Sequence, residues 1–309
     1  MKVTLARHLD EVYDFRRKHA RNALRGSEVR IAGGAYVDAG EWTALGARER
    51  YLVKIRAVVE TRRHRAVLSH RSAAAIHGLP ALEPWPGSVH FTAGVTSGGR
   101  SSGDVVRHSA HLADGDVVEI DGLLVTSIAR TVLDLAVAEP ELASVTALDR
   151  ALHIDRKNIS PTLLTTEELW RTYNAHMPFR GHVRARNAFE FAVTEADSPL
   201  ESVSRVNMRI IGFPAPELQH RFDDYRGLIG YSEFYWPKHG LVGEADGRSK
   251  YTDPAFKKGR SLEQVLLDEK ERADRIRATG PDVSRWGWQT AIQPEALRRH
   301  LVAAGLPTA

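Results

Sequence analysis

Cysteine is absent from the 309 residues. Disulfides, thiolate metal sites and thiol catalysis are therefore excluded. No run approaches the roughly 20 uncharged apolar residues needed to span a bilayer. The opening MKVTLARHLDEVYDFRRKHARN lacks the apolar core of a secretory signal. Both features lead us to expect a cytoplasmic chain. Charge is nearly balanced, with 43 Lys and Arg against 39 Asp and Glu and a net charge of +4. That is a mild bias toward polyanions, and the local clustering of basic residues matters more than the sum. The Gly/Ser-rich stretch from Gly94 to Gly103 is not followed by Gly-Lys-Ser/Thr, so it reads as a surface loop and not as a phosphate cradle. His108 and His111, and His70 and His77, have no third ligand or zincin-type glutamate in their sequence neighbourhood, and we read them as structural or surface residues.

The length gives room for two domains, or three small ones, at roughly 100–150 residues each. Four stretches separate. In residues 1–55, Leu5 to Leu24 reads as a basic helix carrying Arg7, Arg16, Arg17, Lys18 and Arg21. A hairpin follows, with Val29-Arg30-Ile31 and Ala35-Tyr36-Val37 flanking Gly33-Gly34. This order suggests a winged-helix-like region. In residues 56–155, Ser69 to Gly78 reads as a small-residue helix closed by glycine. Strands are expected at Val89–Thr92 and Val105–His108, and a hairpin around Asp121-Gly122. Thr126 or Ser127 then caps a helix from Ile128 to Ala138. Residues 156–197 read as a helical linker, with Thr165 or Thr166 as cap and a basic run of Arg180, Arg184 and Arg186. Residues 198–309 carry the chemistry.

There, Leu241-Val242-Gly243 leads as a strand into Glu244-Ala245-Asp246-Gly247. Alternate strand residues share a face, so Glu244 and Asp246 point the same way. Two carboxylates held that close favour a cation between them. Mg²⁺, which takes hard oxygen ligands, suits the pair. Leu228 to Tyr235 reads as a second strand, and the turn Lys238-His239-Gly240 makes a hairpin that brings Glu233 beside Glu244. Ser198 or Pro199 starts a helix with Leu200, Val203, Val206 and Ile210 on one stripe. Glu201 lies in its first turn, where it either complements the helix dipole or points into the acid pocket. A long helix from Leu262 to Arg277 and a closing strand at Ser284-Arg285-Trp286 follow. Trp286 and Trp288 read as core residues before they read as base-stacking ones.

The segments SPLES, SEFYWP, LVGEADGRSKY and LLDEKERADRIRATGPDVSRWGW resemble the PD-(D/E)XK nuclease superfamily, most closely the branch related to the very-short-patch repair endonuclease. The fold implied is α/β (α+β), a restriction-endonuclease-like mixed sheet flanked by helices. The resemblance implies a metal-dependent DNA endonuclease using Mg²⁺ or Mn²⁺. Glu233 matches the first acid, Glu244 the second and Glu201 an accessory acid. Asp246 stands where the superfamily usually has lysine, and Lys250 could take the lysine's part. The expected metal ligands are thus Glu201, Glu233, Glu244 and Asp246. The expected catalytic set is Glu233, Glu244, Asp246 and Lys250. Lys250 or Lys270 could position the water or steady the transition state, and Lys270 with Arg272, Arg275 and Arg285 forms the expected DNA-binding set. Two departures stand out: Glu233 replaces aspartate, and the Glu-x-Lys pair is absent.

SHRSAAAIHGLP and GLLVTSIARTVLDLA resemble the AbiEi-type antitoxin family. That resemblance implies an alternative function, a non-enzymatic DNA-binding antitoxin or regulator with a degenerate nuclease domain and a cognate toxin as partner.

Overall fold

The computed structural model describes residues 3–5, 12–62, 66–94, 101, 103–156, 161–246 and 261–308. The fold is mixed α and β, with helices flanking three sheets. The chain divides into two compact units, residues 1–147 with 163–188 and residues 148–162 with 189–309. The boundaries read from composition, at 55, 155 and 197, do not coincide with these. The chain leaves the first unit partway along a helix, returns, and leaves it again partway along another.

The first unit opens with β1 (Thr4–Leu5), α1 (Val12–Leu24), β2 (Glu28–Ala32) and β3 (Ala35–Asp38). Leu5, expected to open the helix, lies instead on a strand. Thr4 and Leu5 pair with Tyr36 and Ala35 and make a sheet ordered β1-β3-β2. Leu5 joins a core with Ile31, Val37 and Ile55, so its apolar side chain is used on the sheet and not on the helix. After α2 (Ala39–Ala44) and α3 (Ala47–Glu60) comes a five-stranded sheet. Its strands are β4 (Val67–Leu68), β5 (Val89–Ala93), β6 (Val105–Ser109), β7 (Val117–Ile120) and β8 (Leu123–Thr126), in the order β6-β5-β4-β8-β7. Asp121 and Gly122 turn the β7–β8 hairpin with φ of 48° and 78°, the doubly left-handed geometry that matches strand twist.

Of the helices in this unit, α4 (His70–His77) ends on Gly78 at φ 74°, as its sequence suggests. For α5 (Ile128–Ala138), Ser127 supplies the cap by accepting from the Arg130 N–H. The next helix, α6 (Glu141–Leu152), was not read from the sequence. Thr165 and Glu168 form a capping box for α7 (Thr166–His176). In α8 (His182–Phe191), Arg184 donates to the carbonyls of Val137 and Glu139, so part of the basic run ties down the end of α5.

The second unit contains α9 (Pro199–Ile211), β9 (Glu217–Asp224), β10 (Gly227–Trp236), β11 (Leu241–Ala245), α10 (Leu262–Ala278), β12 (Asp282–Trp286), α11 (Trp288–Ala291) and α12 (Pro294–Ala303). Its sheet is ordered β12-β11-β10-β9. The first three strands form an antiparallel meander, and β12 joins β11 in parallel after the α10 crossover. On α9, Leu200, Val203 and Val206 are buried as expected, but Ile210 is 61% exposed and Met208 is buried in its place. Trp286 fixes the packing. Its Nε1 donates to Ser204 Oγ at 2.9 Å, and its ring stacks on Phe234 at 5.5 Å. A Cβ on Gly243 would lie 2.6 Å from the Trp286 ring, so only glycine lets that indole settle on β11. No helix among the described residues is long and apolar enough to cross a membrane.

Candidate acidic centre

The β10–β11 hairpin brings the sequence-predicted acids together. Its register pairs Phe234 with Gly243, so one step further along Glu233 stands across from Glu244. Directly opposed residues of an antiparallel pair share a face. Asp246 follows the end of β11, held by its N–H bonding to the Trp286 carbonyl at 2.8 Å. On the other side of β11, the parallel register sets Arg285 beside Glu244.

Each acid has a partner. The Glu233 carboxylate, on a buried side chain, accepts from the backbone N–H of Ala245. Glu244 is 3% exposed. Its Oε1 accepts from Arg272 Nη2 at 2.8 Å and Nη1 at 3.3 Å. Asp246 Oδ2 lies 3.4 Å from Arg285 Nη1, which also donates to Glu269 Oε2 at 3.1 Å. Burial pushes the Glu244 carboxyl above the usual range, Arg272 and Arg285 pull it down, and Asp246 adds to the rise. Burial works against the charged Arg285 guanidinium, but Asp246, Glu269 and Glu244 outweigh it and raise its pKa. The centre thus gathers the four carboxylates of Glu233, Glu244, Asp246 and Glu269 with the two guanidiniums of Arg272 and Arg285.

The other predicted residues are distributed differently. Glu201 is 3% exposed and secures the start of α9: it accepts from Ser198 Oγ at 2.8 Å and from the Asp197 N–H at 3.0 Å, while its own N–H donates to the cap Ser198 Oγ. It also accepts from Gln219 Nε2 at 3.2 Å, which ties the start of α9 to β9. Arg275 grips Asp224 at 2.7 and 2.8 Å near the β9–β10 turn. Its hydrogen bonds hold the Asp224 carboxyl down at about 2. Arg272, Arg275 and Arg285, expected to hold phosphates, are therefore engaged with carboxylates. Lys270 is exposed and has no ion pair among the described residues. Lys250 lies outside the described residues. Trp286 is a core residue at 3% exposure, and Trp288 lies at the surface. Glu269 is not among the sequence-predicted residues. Its spacing of three from Arg272 puts both on one face of α10, which was the available signal.

The donors suit a hard divalent cation in kind, being carboxylate oxygens. In arrangement, no group of three or more His, Asp or Glu among the described residues is poised to hold a metal. The guanidiniums supply the positive charge that the acids require.

Comparison with known proteins adds little about activity. No family model matches the chain. It is 29% identical over 136 residues to an uncharacterized protein of Mycobacterium tuberculosis strain H37Rv, and equally to one of strain CDC 1551 / Oshkosh. The match covers 44% of this chain, and the chain spans about half (48%) of the length of these curated relatives.

Proposed function

We infer that this protein acts on DNA as a metal-dependent phosphodiester hydrolase, with Glu233, Glu244 and Asp246 as its acidic centre. The observation that supports this reading is the hairpin register that sets Glu233 opposite Glu244 at the end of a mixed sheet, within the order helix, three-strand meander, helix, parallel strand. To hold Mg²⁺ or Mn²⁺, Glu233, Glu244 and Asp246 would have to turn from Ala245, Arg272 and Arg285 toward the ion, since as placed they are not poised around one. Such an ion supplies an acidified water and charge stabilisation at the attacked phosphate. Arg272 and Arg285 hold the carboxylates charged and oriented until a cation competes for them. Lys270, exposed on α10, is the basic group in this neighbourhood that remains available to a phosphate.

A second reading is favoured by the arginines themselves. Glu244 and Asp246 are already neutralised by Arg272 and Arg285, as befits a nuclease-type domain kept for binding. On that reading the protein is a DNA-binding regulator or antitoxin with a toxin as partner. One experiment separates the two. Supercoiled plasmid is incubated with the protein in Mg²⁺, Mn²⁺ or EDTA, alongside Asp246→Asn and Glu244→Gln, and binding is followed by gel shift at low salt. Cleavage that needs metal and disappears in both variants supports hydrolysis. Binding without cleavage in any metal supports the regulator. Cleavage that survives both substitutions removes this centre as its source.

A further inference from the structure

The first unit holds a second polar cluster, unconnected with the acidic centre. His70, the first residue of α4, has φ 50°, a left-handed conformation that a residue with a Cβ adopts only when its surroundings force it. The surroundings here are specific. Ser69 donates its N–H to the His90 carbonyl at 3.1 Å, and the His90 N–H donates to Ser72 Oγ at 2.8 Å. Clamped this way, the His70 ring lies flat on His108, with centroids 3.5 Å apart and planes 13° from parallel. His108 Nε2 in turn meets His90 Nδ1 at 3.0 Å.

Asp134 of α5 comes from the opposite side. Its Oδ1 accepts from Arg130 Nε at 2.8 Å. Its Oδ2 lies 3.8 Å from His70 Nδ1 and has no hydrogen-bond partner, although the side chain is only 9% exposed. Such an orphan acceptor is costly to bury unless something donates to it. Arg130 does not supply that donor: its Nε goes to Oδ1, and its Nη1 goes to Asp116 at 3.2 Å and to the His111 carbonyl at 2.8 Å.

His70, His108, Arg130 and Asp134 line a cavity of about 610 Å³ whose wall is completed by Arg107 and Arg180, among others. That is the size of a small-ligand site. Arg107 and Arg180 are exposed, and among the described residues neither has a carboxylate partner. The cavity therefore has a cationic mouth, a wall formed by the stacked imidazoles and, at its base, an acceptor lacking a donor.

We propose that this cavity binds a phosphate-bearing small molecule of mononucleotide size. Its phosphate is held by Arg107 and Arg180, its planar ring packs against the edge of the His70–His108 stack, and an N–H of that ring donates to Asp134 Oδ2. Guanidinium and phosphate pair through charge-assisted bonds. The buried imidazoles, held neutral by burial, accept a flat heterocycle without adding charge.

The test is calorimetric titration of the full chain with AMP, GMP, CMP and UMP, and with inorganic phosphate alone. One mononucleotide should bind at one site per chain, more tightly than phosphate. Arg107→Ala and Arg180→Ala, both at exposed positions that leave the core intact, should each weaken it roughly tenfold. Asp134→Asn should change which base binds best, with folding checked by circular dichroism. The proposal is overturned if no mononucleotide binds at millimolar concentration. It is equally overturned if phosphate binds as tightly as every nucleotide, or if both arginine variants bind like the parent.

Discussion

Removing Arg272 isolates a charge that the fold keeps out of water. Glu244 is 3% exposed and both of its Arg272 bonds arrive at one oxygen, at 2.8 and 3.3 Å. In Arg272→Ala the carboxylate keeps its desolvation and loses its nearest cation. Breaking one side of a buried pair costs about 3–5 kcal/mol. The Arg272 side chain is 26% exposed, so water can partly replace it, and about 2–3 kcal/mol is the expected loss at pH 8. The pH dependence has a definite sign. Burial already raises the folded Glu244 carboxyl above its unfolded value, and losing Arg272 raises it further. The folded variant therefore binds a proton that the unfolded chain releases, and its stability falls as pH rises above the unfolded carboxyl range. The deficit relative to the parent should be largest at pH 8 and shrink toward pH 5, by at most about 1.4 kcal/mol per pH unit. Urea unfolding followed by tryptophan fluorescence at three pH values measures this, with Trp236 and Trp286 reporting from the same sheet. A loss under about 0.5 kcal/mol, or an equal loss at all three pH values, would refute the claim that Glu244 is a buried charge dependent on Arg272. Added Mg²⁺ should restore part of the stability of the variant if the acids accept a metal.

Three further outcomes are expected. Gly243→Ala should destabilise the second unit by about 1–3 kcal/mol, because its methyl would meet the Trp286 ring at 2.6 Å and the Trp236 ring at 3.0 Å; an unchanged urea midpoint would show that the indole is not seated on β11. The first unit should be acid-labile: burial, with neighbouring histidines and Arg130, holds His70 down at about 2, so stability falls as pH drops below the unfolded histidine value of 6.5, by roughly 1.4 kcal/mol per unit. Asp134 acts with the opposite sign. Burial pushes it up to about 6, so its proton uptake stabilises the folded state between pH 6 and 3.8 and offsets part of the histidine loss. Asp134→Asn should therefore steepen the acid loss, and a pH profile that flattens instead would contradict the assignment.

The sequence by itself determined most of the local elements. Short-range rules are enough to narrow the caps to Thr126 or Ser127 and Thr165 or Thr166, and to place the Gly78 terminus, the Asp121-Gly122 turn and the Glu233–Glu244 hairpin, because each depends on residues a few positions apart. Leu5 shows where that stops: a strand of two residues exists only because β3 offers it an edge. β9 and α6 were missed for related reasons. The alternation in Glu217–Asp224 is weak, and its partner β10 completes it. In α6 the buried residues include Ser144, Thr146 and Asp149, which blur the apolar stripe. The partners of the acids were decided by tertiary structure alone. Arg272 is 28 residues from Glu244 and Arg285 is 39 residues from Asp246, and only the α10 crossover and the parallel β12 bring them together. A carboxylate's chemistry depends on its distance to a cation and on the water between them. Neither is encoded in spacing along the chain, so the sequence could show where acids gather but not what they hold.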